Sequence, residues 1–117
     1  MTEKKLKASE NIKIELNKKV QALKVKITSM SIAIYHGEVY TLREVDLELL
    51  KIFNGLDRMV RSIDLLTSTV SPIHKTLKHM KMKVTNLKIA VETSDFAQLK
   101  VVTLDYLRDI DVIIKQI

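Results

Sequence analysis

The chain is poor in the residues that interrupt helices or cross-link a small fold. Its 117 residues include no cysteine, no tryptophan, one proline and two glycines, and the aromatic residues are three tyrosines and two phenylalanines. Without cysteine there is neither a disulfide framework nor a thiolate metal site, which fits a reducing compartment. Because long helices need few turns, so little glycine and proline favours a small number of long helices.

The sequence also lacks the apolar runs used for targeting or for crossing a membrane. The segment Met1–Leu6 carries no apolar core of the secretory kind. No uninterrupted apolar run reaches the roughly eighteen residues of a membrane span. Met1 is not followed by glycine, and residues 115–117 offer no prenylation cysteine. We therefore expect a soluble, cytoplasmic protein.

What the sequence has instead is a long apolar repeat. From Leu42 to Val91, apolar residues recur at alternating spacings of three and four over seven heptads. A spacing held this long predicts a long helix that presents one apolar stripe to other helices. We call these fifteen positions the seam and predict that they bind partner chains. They are Leu42, Val45, Leu49, Ile52, Leu56, Met59, Ile63, Leu66, Val70, Ile73, Leu77, Met80, Val84, Leu87 and Val91.

The fold class predicted from this pattern is all-α, with long helices forming an extended coiled coil or a helical bundle with partner chains. Phe53 and Val60 lie on one shoulder of the seam, and such a broad apolar arc suggests three or four helices around it. Five segments are expected along the chain. They are a frayed basic N-terminal segment at 1–15, a first coiled-coil helix at 16–35, a loop or hinge at 36–41, a main coiled-coil helix at 42–92 and an apolar C-terminal helix at 95–117.

Two of these segments carry their own apolar stripes. Helical character in the first is expected from about residue 4 to residue 35. Its stripe is Leu16, Val20, Leu23, Ile27, Met30 and Ile34. Ser94 or Asp95 can cap the last helix. The stripe of that helix is Leu99, Thr103, Tyr106, Ile110, Ile113 and Ile117.

The sequence leaves open the conformation of two connections, one around Gly37 and one at Ser71-Pro72. Gly37 permits either a hairpin or a straight continuation, and Thr41 with Glu44 has the spacing of a capping box that restarts a helix. At Ser71-Pro72 the serine can cap a new helix, or one helix can kink there and continue. The heptad register passes through Pro72 unchanged, which favours the kink.

The sequence offers few residues suited to catalysis or to binding a metal. His74 and His79 are five residues apart, which does not place them on one helical face, and no carboxylate lies between Asp64 and Glu92. Zinc ligands must converge, so these histidines do not predict a metal site. Glycine-rich phosphate loops and cysteine nucleophiles are missing. We predict no catalytic residue, no cofactor and no small-molecule substrate.

Lysines form the strongest charge cluster, on a chain with a net charge of +6. They are Lys75, Lys78, Lys81, Lys83 and Lys88. A solvated face, or flanks that meet an acidic partner helix, is the favoured interpretation. A nucleic acid or an anionic membrane surface is the alternative. Lysine outnumbers arginine and no aromatic residues are interleaved for stacking, so nucleic-acid binding is not expected.

Several short matches give the chain a family resemblance. They are Leu16-Asn17-Lys18, Leu23, Ile27-Thr28, Ser31, Leu47-Glu48, Ile52, Arg58, Pro72, Leu77, Met80, Val84, Leu87, Ala90 and Ser94-Asp95-Phe96. Over roughly residues 16–100 the chain resembles subunit two of the biogenesis of lysosome-related organelles complex one (BLOC-1). It departs from that family in its lysine-rich 75–88 segment, in having Phe96 where an aromatic-rich segment is expected, and in its apolar tail.

The resemblance implies a non-enzymatic coiled-coil subunit of a linear hetero-octamer. Such an assembly acts in endosomal sorting toward lysosome-related organelles, and the family member is shared with BORC, the related complex that positions lysosomes. It further implies coiled-coil partner subunits and membrane association only through the complex, at endosomes or lysosomes. Other coiled-coil scaffold subunits, of the tethering or kinetochore type, are the nearest alternative to this family.

Overall fold

Five α-helices account for most of residues 3–117, the part of the chain that the computed structural model describes. Met1 and Thr2 lie outside the described residues, and with them the start of the predicted 1–15 segment. The rest of that segment, predicted to be frayed, is instead the regular beginning of α1. The helices are α1 Glu3–Tyr35, α2 Val45–Thr67, α3 Ile73–Met82, α4 Val84–Glu92 and α5 Phe96–Gln116, with one turn of 3-10 helix at Val39–Leu42. No strand occurs in the described range, so the all-α class is confirmed.

The helices form an antiparallel bundle of four rods. Lys83, with φ −78° and ψ −12°, keeps nearly helical geometry, so α3 and α4 stack end to end as one rod. The α1 helix packs on α2 and α5, and the α3–α4 rod also packs on α2 and α5. At 1.5 Å per residue the 33 residues of α1 span about 50 Å, which accounts for the long dimension of a molecule measuring 52 × 20 × 20 Å.

Each rod contributes one apolar stripe to a common core. All six predicted stripe residues of α1 are buried, as are the first five of α5, and Ile117 is partly buried. Burying apolar surface is the dominant favourable term in folding, and a closed ring of four stripes achieves it without any second chain. The described chain therefore covers its own hydrophobic stripes, whereas the sequence predicted that partner chains would do so.

The core of α2 keeps Leu49, Leu56 and Ile63 of the predicted seam but shifts the row of Ile52 and Met59 by one residue. Phe53 and Val60, expected on the shoulder, are 0% exposed, while Ile52 and Met59 are only half-buried. The rings of Phe53 and Tyr106 lie 5.6 Å apart between α2 and α5. A helix with neighbours on two sides buries a broad arc, and the largest side chain of that arc fills the centre.

The expected kink at Pro72 is instead a chain reversal. Ser68 ends α2 in the left-handed conformation at φ 55°. The Ser71 amide donates to the Asp64 carboxylate over 3.1 Å, and the Ser71 hydroxyl accepts from the Ile73 amide over 3.2 Å. Pro72 has no amide to leave unpaired at the start of α3. The single helix predicted over 42–92 is therefore corrected to three helices, and the register survives because α2 and α3 face one core.

The other two connections are also tight. Gly37 at φ 76° turns the chain into a hairpin between α1 and α2, which settles the alternative left open above. The predicted capping box is wrong, because the Thr41 hydroxyl donates to the Glu38 carbonyl over 2.9 Å and α2 begins after Glu44. Asp95 does cap α5, where its carboxylate accepts from the Gln98 amide over 3.1 Å.

Because Phe53 and not Ile52 fills the core of α2, truncating Phe53 should destabilise the fold more than truncating Ile52. Phe53→Ala should destabilise the fold by about 3–5 kcal/mol, because it removes a fully buried ring, whereas Ile52→Ala should cost less than about 2 kcal/mol. Chemical denaturation followed by circular dichroism measures both. Equal costs, or a larger cost at Ile52, would restore the seam predicted from the sequence.

Candidate functional site

Most of the seam lies inside the bundle. Nine of its residues are buried, five are half-buried and one, Val70, is 87% exposed. The nine buried residues are Leu42, Val45, Leu49, Leu56, Ile63, Ile73, Leu77, Met80 and Leu87. The half-buried residues are Ile52, Met59, Leu66, Val84 and Val91. The chain's own helices cover these nine residues, so a partner chain could reach them only if the bundle opened. Binding of a partner through the seam therefore stays a prediction that requires opening of the bundle.

The densest polar cluster lies between α2 and α3. His74 on the first turn of α3 bridges two carboxylates of α2, with Nδ1 2.7 Å from Asp57 and Nε2 2.6 Å from Asp64. The two aspartates are seven residues apart, so they lie on one face of α2, two turns from each other. The cluster thereby joins α2 to α3 across the reversal at Ser68–Pro72.

Two cations complete the cluster. Arg61 approaches Asp57 to 3.0 Å from one helical turn away, and the Lys81 ammonium lies 3.8 Å from the same carboxylate. Burial disfavours charge on Asp57, but the hydrogen bond from His74 and the nearby Lys81 and Arg61 outweigh it and lower the pKa of Asp57. Burial likewise opposes the charge on His74, but hydrogen bonds to Asp57 and Asp64 outweigh it and raise the pKa of His74.

This geometry favours a structural role for His74 over a catalytic one. Both ring nitrogens are engaged by carboxylates, so neither is free to accept a proton from a substrate or to bind a metal. His79 lies elsewhere, with Nδ1 3.2 Å from Asp109 of α5. Over residues 3–117 no group of three or more histidine, cysteine, aspartate or glutamate side chains is arranged to hold a metal ion.

The cluster was missed because its members come from two helices. No carboxylate lies near His74 in the sequence, and a continuous helix through Pro72 would have kept Asp57 far from it. The spacing of Asp57 and Asp64 was a usable signal, since two acids seven apart on an apolar helix require partners. Only the reversal at Ser68–Pro72 identifies that partner as His74.

The lysine cluster divides into two groups. Lys81 and Lys83 are partly buried in ion pairs, and Lys83 lies 3.4 Å from Asp109 and 3.6 Å from Asp105 on α5. The acidic residues that these two lysines meet are therefore in the same chain, on α2 for Lys81 and on α5 for Lys83. The other three lysines are exposed, and none has a carboxylate of the described residues within 4 Å: Lys75, Lys78 and Lys88.

The outer surface of α1 and α5 carries a second feature, exposed apolar residues at helical spacing. Val25 and Ile32, seven apart on α1, are 67% and 56% exposed, and Val101 and Leu104 on α5 are 51% and 54% exposed. The ion pair of Lys24 with Asp111, at 3.2 Å, marks the antiparallel register of the two helices, in which Ile32 lies level with the turn of α5 that holds Val101 and Leu104. We call these four apolar residues the α1–α5 face.

Comparison with known proteins identifies no relative. No protein-family model, curated protein or solved structure matches the chain. None of the described helices combines the length and apolar character that a membrane crossing demands. The α1–α5 face, the His74 cluster and the exposed lysines are therefore the features from which a function can be argued.

The His74 cluster predicts that the fold weakens as the pH rises. A raised pKa in the folded state means that protonation of His74 stabilises the fold fully below its ordinary pKa of 6.5, and that this contribution is lost as the pH rises through the folded-state value. We expect the melting temperature to fall between pH 6 and pH 8. His74→Gln should flatten that slope and cost about 2 kcal/mol at pH 6, because it removes charged hydrogen bonds.

The matched control for this experiment is His36→Gln, which removes an exposed imidazole from the loop after α1. Thermal melts followed by circular dichroism across the pH range measure all three proteins. A His74→Gln protein that keeps the wild-type slope would show that the cluster does not couple protonation to folding.

Proposed function

We propose that the chain is a non-enzymatic interaction subunit that assembles with other helical chains through the α1–α5 face. The observation that carries the proposal is the helical spacing of exposed apolar residues on two helices already packed together, seven apart on α1 and three apart on α5. Val25 and Ile32 recur on one side of α1 at the interval that a further helix would contact, and Val101 and Leu104 extend the surface across α5.

The bundle leaves this face as the most direct route to assembly. Burial of the seam within the chain removes the long stripe from which assembly was first predicted, unless the bundle opens. An additional helix on the α1–α5 face would gain roughly 25 cal/mol per Å² of apolar surface without disturbing the core. The surrounding polar residues, including the Lys24–Asp111 pair, give such an interface the charged rim expected of a non-obligate contact.

The identity of the complex is proposed from sequence resemblance. Similarity to subunit two of BLOC-1 supports a role in endosomal sorting and lysosome positioning, with coiled-coil subunits as partners and membranes reached through the complex. No family match accompanies that resemblance, so the complex, the cytoplasmic location and the partners remain predictions. The occupied ring nitrogens of His74 support the non-enzymatic part of the proposal.

The proposal is tested by quantitative affinity purification of the tagged chain from its native cells. Val25→Gln and Ile32→Gln, combined with Val101→Gln and Leu104→Gln, should reduce recovery of helical partner proteins at least about tenfold, because the interface loses its apolar anchors. Glutamine is a good helix former, so the helical content and melting temperature should change little.

Two further variants make this test discriminating. Leu47→Gln with Ile89→Gln removes comparably exposed apolar residues, 57% and 53%, from α2 and α4 and should leave partner recovery unchanged. Leu56→Asp buries an unpaired charge and should unfold the bundle. Partner recovery that survives loss of the α1–α5 face contradicts the proposal. A Leu56→Asp protein that stays folded but loses its partners would show that partners bind through the seam and not through the α1–α5 face.

A further inference from the structure

The net charge of the chain is concentrated in one half of the bundle. The half that ends at the α2–α3 reversal comprises residues 3–24, 57–81 and 108–117 and contains fourteen lysines and arginines against seven aspartates and glutamates. The other half, residues 25–56 and 82–107, contains six against seven. The first half therefore carries +7 and the second −1, so the rod has a strongly basic end.

Acidic residues at this end pair with only part of its cations. Asp57 and Asp64 are mostly buried and are held by His74, Arg61 and Lys81. Glu10 and Glu15 pair with Lys13 and Lys18. Lys75 and Lys78 are exposed on the outer side of α3, without a carboxylate of the described residues within 4 Å. Because α1 runs antiparallel to α2, its exposed N-terminal lysines, Lys4 and Lys7 among them, lie at the same end.

The same end exposes the most solvent-accessible large apolar side chains of the described chain. Val70 in the reversal is 87% exposed, and Leu65 on the last turn of α2 is 82% exposed. Val70 lines an open groove together with Arg61, Lys78, Lys81, His74 and Asp57. Leu65 lies on the last turns of α2, in the same basic half of the molecule. Two exposed apolar side chains, one of them in a groove lined by cations, thus lie at the basic end of the rod.

We propose that this end of the bundle docks on an anionic lipid surface, with Leu65 and Val70 entering the interfacial region and Lys75 and Lys78 contacting the headgroups. Lipid is favoured over nucleic acid by the pairing of apolar tips with cations, because a bilayer rewards burial of both. Single-stranded nucleic acids are usually gripped by aromatic stacking. The exposed aromatic residues Tyr35, Tyr40 and Phe96 all lie toward the opposite end.

This inference is independent of the α1–α5 face and goes beyond the prediction that the chain reaches membranes through a complex. It concerns direct binding by the isolated chain. The surface potential of an anionic leaflet attracts cations within about a Debye length, so an end-on orientation brings the +7 half close and keeps the −1 half away.

Sedimentation with vesicles measures the electrostatic part. We expect the purified chain to bind phosphatidylserine-containing vesicles, to bind pure phosphatidylcholine vesicles weakly, and to release as salt rises. Lys75→Gln with Lys78→Gln should lower the partition coefficient about thirtyfold. Lys88→Gln with Lys100→Gln makes the same change in net charge in the other half and should have a much smaller effect.

A single introduced tryptophan measures the apolar part, since the chain has no tryptophan of its own. The emission of Leu65→Trp should shift to the blue on anionic vesicles and be quenched by brominated lipid. Leu47→Trp places the reporter at the opposite end, on a side chain that is 57% exposed. Its emission should stay unchanged. Circular dichroism confirms that both variants keep the wild-type melting temperature.

Three results would overturn the proposal. Equal loss of vesicle binding in the two lysine pairs would reduce it to non-specific attraction by net charge. Vesicle binding without any change in the Leu65→Trp emission would exclude apolar insertion. Tighter binding to duplex DNA or RNA than to anionic vesicles at the same salt would identify a nucleic acid as the ligand of the basic end.

Discussion

The reversal of the chain between Thr67 and Ile73 is the constraint on which the rest of the structure depends. Ser68 in the left-handed conformation stops α2, Asp64 takes up the Ser71 amide, and Pro72 opens α3 without an unsatisfied donor. Were the helix to continue instead, the stripes of α2 and α3 would lie end to end and face water. The reversal places them side by side, so that α1 and α5 can close the bundle over them.

His74 strengthens this constraint because it acts on both sides of the reversal. It contacts Asp57 and Asp64 on α2 from the first turn of α3, so the cluster forms only when the two helices are antiparallel. Charged hydrogen bonds in a partly buried site are stronger than those at the surface, and breaking one partner leaves an uncompensated charge. The same carboxylate, Asp64, holds both the turn and the histidine, which couples the local geometry to the packing of two helices.

The sequence predicted the first and last helices well, but it predicted the helices between them, and the arrangement of all of them, poorly. The first helix was expected from residue 4 to Tyr35 and runs from Glu3 to Tyr35, and Asp95 caps the last helix as one of two candidates. Heptad spacing reports which face of a helix is apolar, but it is blind to whether the covering helix belongs to the same chain. A rod bound to partner chains and a bundle folded back on itself would both bury the stripe from Leu42 to Val91. The apolar pattern alone therefore does not distinguish the two arrangements.

The remaining errors have local causes. Ser68 adopts a positive φ without being glycine, so no residue marked the end of α2 in the sequence. Phe53 and Val60 were assigned to the shoulder because a strict 3-4 spacing selects Ile52 and Met59, yet a helix with two neighbours centres its core between those rows. Asp57 and Asp64 carried a detectable spacing signal, but their partner His74 became identifiable only with the fold.

A closed bundle changes which surfaces can carry function. Once the stripes are internal, the exterior separates into regions of different chemistry: an apolar flank on α1 and α5, and a basic end with apolar tips at Leu65 and Val70. The flank runs along the rod, whereas the basic end lies at one tip, so a helix on the flank would leave the tip uncovered. The two proposed contacts are therefore geometrically compatible. A subunit built this way could hold a helical partner along its side and a lipid surface at its end, with the reversal at Ser68–Pro72 fixing the position of the tip.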